Sequence, residues 1–120
     1  MKIAVSAQGT DMNSPVDPRF GRAAHFVIYD TETKNFEVLS NGDNAAAAQG
    51  AGIQAAQMVA DQAVDMVVSG NMGPKAFQVL RAAGIKMVSW SDGTVQEAID
   101  MIESGQYDLI DQANVGGHWK

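Results

Sequence analysis

Chemistry-bearing residues in this chain gather at a few turns. Gly70-Asn71-Met72-Gly73-Pro74-Lys75 reads as a passage from a strand into a helix. A helix start offers free backbone N–H groups and the positive end of the macrodipole, and so favours an anion. Its glycines permit close backbone approach, and Lys75 adds a formal charge. The segment is not a Walker A motif, because G-x-x-x-x-G-K-[ST] is absent and Pro74 removes one donor. On this segment alone, a plain tight turn with Pro at the first helical position is the simpler reading.

Arg19-Phe20-Gly21-Arg22 concentrates two of the three arginines of the chain in four residues. Two readings stand side by side. The guanidinium groups can pair with oxyanions or sulfur-rich anions, or they can neutralise Asp11 and Asp17 while Phe20 plugs the core. His25 is either a soft metal ligand or anion donor, or a half-buried histidine bonded to backbone. Met72 is the one methionine in the anion-favouring turn, and its thioether suits Cu(I). Met58, Met66, Met87 and Met101 read as core fillers. Trp90 either walls a pocket or is an ordinary strand-end tryptophan. His118 lies beside Trp119 in a Gly-rich tail, expected to be mobile rather than folded over a ligand. Asp11, Asn13 and Asp17 match no EF-hand spacing and read as solvated loop acids.

Composition narrows the chemistry. The 120 residues contain no cysteine, which excludes disulfides, zinc ribbons, thiolate-held clusters and cysteine nucleophiles. Two histidines are too few for a multi-histidine metal site within one chain. A formal charge of −6 argues against non-specific binding to nucleic acid or anionic membrane. There is no G-x-S-x-G elbow and no assignable carboxylate pair, so no enzymatic activity is expected. The apolar run Ile3-Ala4-Val5 is too short for a signal-peptide core, which makes the cytoplasm the simplest location.

The elements that must position these residues follow from periodicity. Lys2–Ser6 reads as a buried strand, followed by a long loop over Ala7–Gly21. His25–Asp30 and Phe36–Leu39 flank a polar turn and form a hairpin. Asn41–Asn44 is punctuation, and an Ala-rich helix then runs to Ala63. Met66–Ser69 is a strand, Pro74 opens a helix, and Gly84 suits its C′ position. Ile85–Trp90 is the last strand, and Thr94-x-x-Glu97 is a capping-box pattern opening a helix that Gly105 closes. Residues from Asp108 onward show little periodicity and are expected to be mobile. This is one α/β domain over about residues 1–110: a mixed five-stranded sheet in the order 3-2-1-4-5 with about three helices. Ligands in such sheets sit beyond the carboxyl ends of the central strands, where Ser6–Gly21, Gly70–Pro74 and Ser89–Gly93 fall.

Met1-Lys2-Ile3-Ala4-Val5-Ser6, Phe20-Gly21-Arg22 leading to His25-Phe26-Val27-Ile28-Tyr29-Asp30, and Gly70-x-x-Gly73-Pro74-x-Ala76 form an ordered set. Gly84-Ile85-Lys86 and Thr94-Val95-x-Glu97-Ala98 continue it. With these segments the chain resembles the dinitrogenase iron–molybdenum cofactor biosynthesis domain family, over about residues 1–110. The resemblance implies a ribonuclease-H-like α/β/α fold without nuclease activity. It also implies binding of an anionic metal–sulfur cluster, either a molybdenum–copper sulfide or an iron–molybdenum cofactor precursor. Cluster-building enzymes or ParA/MinD-like ATPases would be partners. Some relatives use a histidine or cysteine for the cluster, and the cysteine route does not carry over. A cluster that brings its own sulfide needs only N–H donors, cations and apolar walls. Arg19, Arg22, His25, Gly70, Asn71, Met72, Gly73, Lys75 and Trp90 are the candidate binding residues. A phosphoanion- or nucleotide-binding regulatory module, or a structural adaptor, are the alternatives.

Overall fold

A computed structural model describes residues 1–47 and 50–111. Its strands are β1 (Lys2–Ala7), β2 (His25–Asp30), β3 (Phe36–Ser40), β4 (Met66–Ser69) and β5 (Lys86–Ser89). Its helices are α1 (Gly42–Ala45), α2 (Ala51–Ala60), α3 (Pro74–Ala82) and α4 (Val95–Glu103). The sheet order is β3-β2-β1-β4-β5, with β1 antiparallel to β2 and parallel to β4. The expected order therefore holds. The Ala-rich helix stops at Ala60 rather than Ala63, because Ala63 takes a positive φ of 56°. The punctuation after Asn41 contains the short α1, whose four residues are too few to show a period.

β1 and β4 are buried on both faces, as apolar runs at the centre of a covered sheet must be. Alternation along the strands splits the core into two layers. Ala4, Phe26, Ile28, Val67 and Met87 pack beneath α2 and α3, with Phe77 and Leu80 among the helical contributions. Ile3, Val5, Val27, Met66 and Val88 pack beneath α4, against Val95, Ala98, Ile99 and Ile102. Each fully buried aliphatic side chain of this kind contributes roughly 1.5–3 kcal/mol.

The long loop after β1 is tied down rather than loose. Asp17 N–H donates to Ser6 O (2.8 Å), Gln8 N–H to Pro15 O (2.9 Å) and Val16 N–H to Gly93 O (2.9 Å). Beneath it, the buried Ser6 Oγ lies 2.6 Å from Asp17 O and 2.8 Å from Ser69 Oγ. In the β2–β3 turn, Asp30 Oδ1 accepts from Glu32 N–H (2.8 Å) and Thr33 N–H (3.4 Å). The Glu32 bond is the main reason the Asp30 carboxyl sits below its usual range. Of the segment expected to be mobile, Leu109 bridges Val88 and Ile110 N–H donates to Met87 O (2.9 Å), which places it along β5. His118 and Trp119 lie outside the described residues.

Candidate functional site

Two helix N-termini open on one cleft of about 630 Å³, lined by Gly21, Arg22, Gly50–Ile53 and Gly73–Ala76. The lining joins the end of the long first loop to the first turns of α2 and α3. Gly50 and Gly73 are the N-cap residues, and neither helix has a side-chain cap. Gly50 sits at φ 75°, a left-handed conformation that glycine takes without strain. Pro74 occupies the first turn of α3, as its fixed φ favours. Backbone N–H groups of a first turn need partners from outside the helix. Arg22 and Lys75 bring two formal positive charges to the rim, and no acidic residue is among the described lining. An anion is the ligand such a cleft favours.

Close backbone contacts hold the walls together. A Cβ on Gly21 would lie 2.8 Å from both Cα and N of Gly52, so the first loop touches the start of α2 without a side chain between them. A Cβ on Gly70 would lie 2.6 Å from Pro18 O. There Asn71 N–H donates to Pro18 O (2.6 Å) and Phe20 N–H to Asn71 O (3.1 Å). These bonds place the arginine-bearing loop beside the strand-to-helix turn, although Pro18 and Phe20 are far from Asn71 in sequence. By contrast, Gly73 has nothing within 4 Å of a Cβ position, so its bare edge faces open space.

The candidate residues separate on this frame. Arg22, Gly73 and Lys75 line the cleft together. Arg22 Nη1 donates to Ala45 O and Ala47 O, both at 2.7 Å, which fixes the guanidinium against the end of α1. Gly70 and Asn71 build the adjoining turn and bridge to Arg19. Arg19 itself is 64% exposed and paired with the buried Asp17 (Nε to Oδ1, 3.3 Å), so its charge serves the loop. Asp11 has no part in that pair; its Oδ1 accepts from Asn13 N–H (2.8 Å).

Three candidates are elsewhere. Met72 is 0% exposed within the layer beneath α2 and α3, which corrects its reading as a copper ligand: the thioether is core. His25 lies at the start of β2, opposite Ala7 and Ser40, two and four residues before side chains that pack beneath α4. It therefore belongs to the other face of the sheet from the cleft. Its Nδ1 is buried and has no hydrogen-bond partner, so no backbone bond is made through that nitrogen. Trp90 packs with the α4 layer and borders a separate hollow with Tyr107 and Met101. Among the described residues no group of three or more His, Asp or Glu converges.

Sequence reasoning missed the first turn of α2. Gly50-x-Gly52 at the head of the Ala-rich helix was its signal, with one glycine for the positive φ and one for the contact with Gly21.

Comparison with known proteins agrees with this architecture. The apo form of the orange protein from Desulfovibrio gigas superposes with a TM-score of 0.92 at 42% identity, over 95% of this chain and 96% of that one. A Thermotoga protein described as a candidate NifB protein gives 0.84 at 38% identity, over 97% and 98%. An uncharacterized protein of Methanocaldococcus jannaschii is 29% identical over 114 residues, 92% of each chain. The family model described as dinitrogenase iron-molybdenum cofactor matches residues 1–105, and the chain belongs to that family.

Proposed function

We propose that this protein binds and carries an anionic metal–sulfur cluster in the cleft between the first turns of α2 and α3. The observation that carries the reading is the joining of two helix N-termini, neither with a side-chain cap, to Arg22 and Lys75 around one opening. The donor set suits a cluster complete in its own sulfide. It offers backbone N–H groups and cations for a diffuse negative charge, and no thiolate or thioether for direct ligation. The opening is within the usual size range of small-ligand sites. A molybdenum–copper sulfide or an iron–molybdenum cofactor precursor meets these requirements, and family membership supports a role in cofactor assembly. We read the role as carriage rather than catalysis, in the cytoplasm, with delivery to cluster-building enzymes or ParA/MinD-like ATPases. No helix among the described residues is long and apolar enough to cross a membrane.

Reconstitution tests the proposal. Protein mixed with tetrathiomolybdate and copper, then desalted, should retain both metals and acquire a visible spectrum. Arg22→Ala with Lys75→Ala should lower retention of both metals by about tenfold or more, the loss of one or two charge-assisted contacts. Unchanged retention in the double variant sinks the cleft as the site. Binding of phosphate ligands with no retention of metal would replace the cluster by a phosphoanion.

A further inference from the structure

The two edges of the sheet are unlike. Beside β5 runs the segment in which Leu109 bridges Val88 and Ile110 N–H reaches Met87 O. No described strand lies beyond β3.

Bonds at both ends of the β2–β3 ladder fix which groups of β3 point outwards. Asp30 N–H donates to Asn35 O and Asn41 N–H to Ala24 O, each at 2.9 Å. Bonded and non-bonded pairs alternate along an antiparallel ladder. In the observed register, Glu37 opposite Ile28 and Leu39 opposite Phe26 are therefore the bonded pairs. Phe36, Val38 and Ser40 turn their N–H and C=O groups to the open side. This outward set is symmetric about Val38.

Edge strands are usually blunted by Lys, Pro or a bulge. Phe36–Ser40 has none of these: its register with β2 is unbroken and its one charge is Glu37. Phe36 is 41% and Val38 39% exposed, and both project from the face that α4 leaves uncovered at this edge.

We propose that β3 pairs with β3 of a second copy of this chain, antiparallel about a two-fold axis at Val38. Val38 then faces its own counterpart, and Phe36 faces Ser40 of the partner subunit. Each outward residue offers one donor and one acceptor, so about six bonds join the chains. Glu37 meets Leu39 of the partner subunit rather than a second Glu37, which keeps like charges apart. The exposed apolar side chains at 36 and 38 continue into one strip across the axis. With that segment along β5, the described residues leave one open edge, so the pairing closes at two copies instead of propagating. An edge of five residues is short, and the dimer is weak and concentration-dependent.

Sedimentation equilibrium on the full chain, from about 10 μM to about 1 mM, reads the association directly. The mass should rise from 12.7 kDa towards twice that value. Amide exchange should show protection at Phe36, Val38 and Ser40 that grows with concentration, while Glu37 and Leu39 are protected throughout. Val38→Pro removes the central outward N–H, and Val38→Lys sets two ammonium groups together at the axis. Each should raise the dimer dissociation constant by about tenfold or more. Because Val38 N–H makes no ladder bond within the chain, the proline variant breaks none there, and because the side chain is exposed the lysine variant keeps the monomer fold; a circular dichroism melt checks both. A mass that stays at 12.7 kDa up to about 1 mM would overturn the proposal. So would a dimer that both variants leave intact, or concentration-independent protection in a monomer, which would assign the edge to the chain's own residues.

Discussion

The N-terminus of α4 and the N-termini of α2 and α3 solve the same problem in opposite ways. At α4 every early N–H has a partner. Val95 donates to Ser14 O (3.0 Å), Gln96 to Met12 O (2.8 Å) and Glu97 to Thr94 Oγ1 (3.2 Å), while Glu97 Oε1 accepts from Thr94 N–H (2.9 Å). At α2 and α3 the N-caps are glycines and no side chain reaches back. The capped helix contributes stability to the α4 face. The two uncapped helices leave donors available to whatever enters the cleft. Local stability has been given up on one side of the sheet, where an anion can restore it.

Perturbing the two kinds of N-terminus separately can break that contrast. The largest effect is expected from Gly21→Ala, whose Cβ would meet the Gly52 backbone at 2.8 Å. Neither backbone can swing aside, so a loss of about 2–3 kcal/mol in urea unfolding is expected. A negligible loss would mean that the first loop and α2 are free to separate. Next comes Gly73→Asp. Gly73 has φ −71° and open space at its Cβ, so an aspartate fits and caps α3. Its carboxylate also occupies the anion position. Cluster retention should fall by about tenfold or more, with the melting temperature unchanged or slightly raised. Retention equal to wild type would show that α3 does not hold the ligand. Thr94→Ala tests the other side: about 1 kcal/mol of stability should go, with retention untouched. Any change in retention would couple the two faces and end the division of labour.

The smallest effect concerns a self-satisfied turn in the hairpin. The folded Asp30 carboxyl is held below its ordinary value, chiefly by the Glu32 N–H bond. Its stabilisation is present above the ordinary carboxylate range and is lost as pH falls through the lowered value. Melting temperature should therefore drop slightly more between about pH 5 and about pH 2 in wild type than in Asp30→Asn. Equal drops would remove Asp30 from the acid response.

Much of this frame was legible from periodicity and punctuation. The sheet order followed from apolar runs and the need to cover both faces. The capping box at Thr94 and Glu97 and the positive φ of Gly84 were both written in residue type. The site was legible only in halves. Gly70–Lys75 announced a helix start, but its neighbour across the cleft is brought there by a contact between two glycines far apart in sequence, which has no local pattern. Met72 misled because turn position says nothing of side-chain direction; one residue before Gly73, it points into the core. Arg19 and Arg22 looked equivalent by spacing, and only Asp17 beside one and the Ala45 and Ala47 carbonyls beside the other tell them apart.

The buried serines beneath the first loop carry a consequence for how such a sequence can change. Ser6 Oγ stands between Asp17 O and Ser69 Oγ. A hydroxyl has a single proton, so if Ser6 gives its own to the carbonyl, Ser69 must supply the proton between the two hydroxyls. Replacing Ser69 by alanine then leaves Ser6 still bonded to the carbonyl. Replacing Ser6 first strips a partner from Ser69 and from Asp17 O together. The two exchanges are unequal in cost although the residues are alike, so mutational history has a preferred order at this pair: Ser69 is the position that can change first.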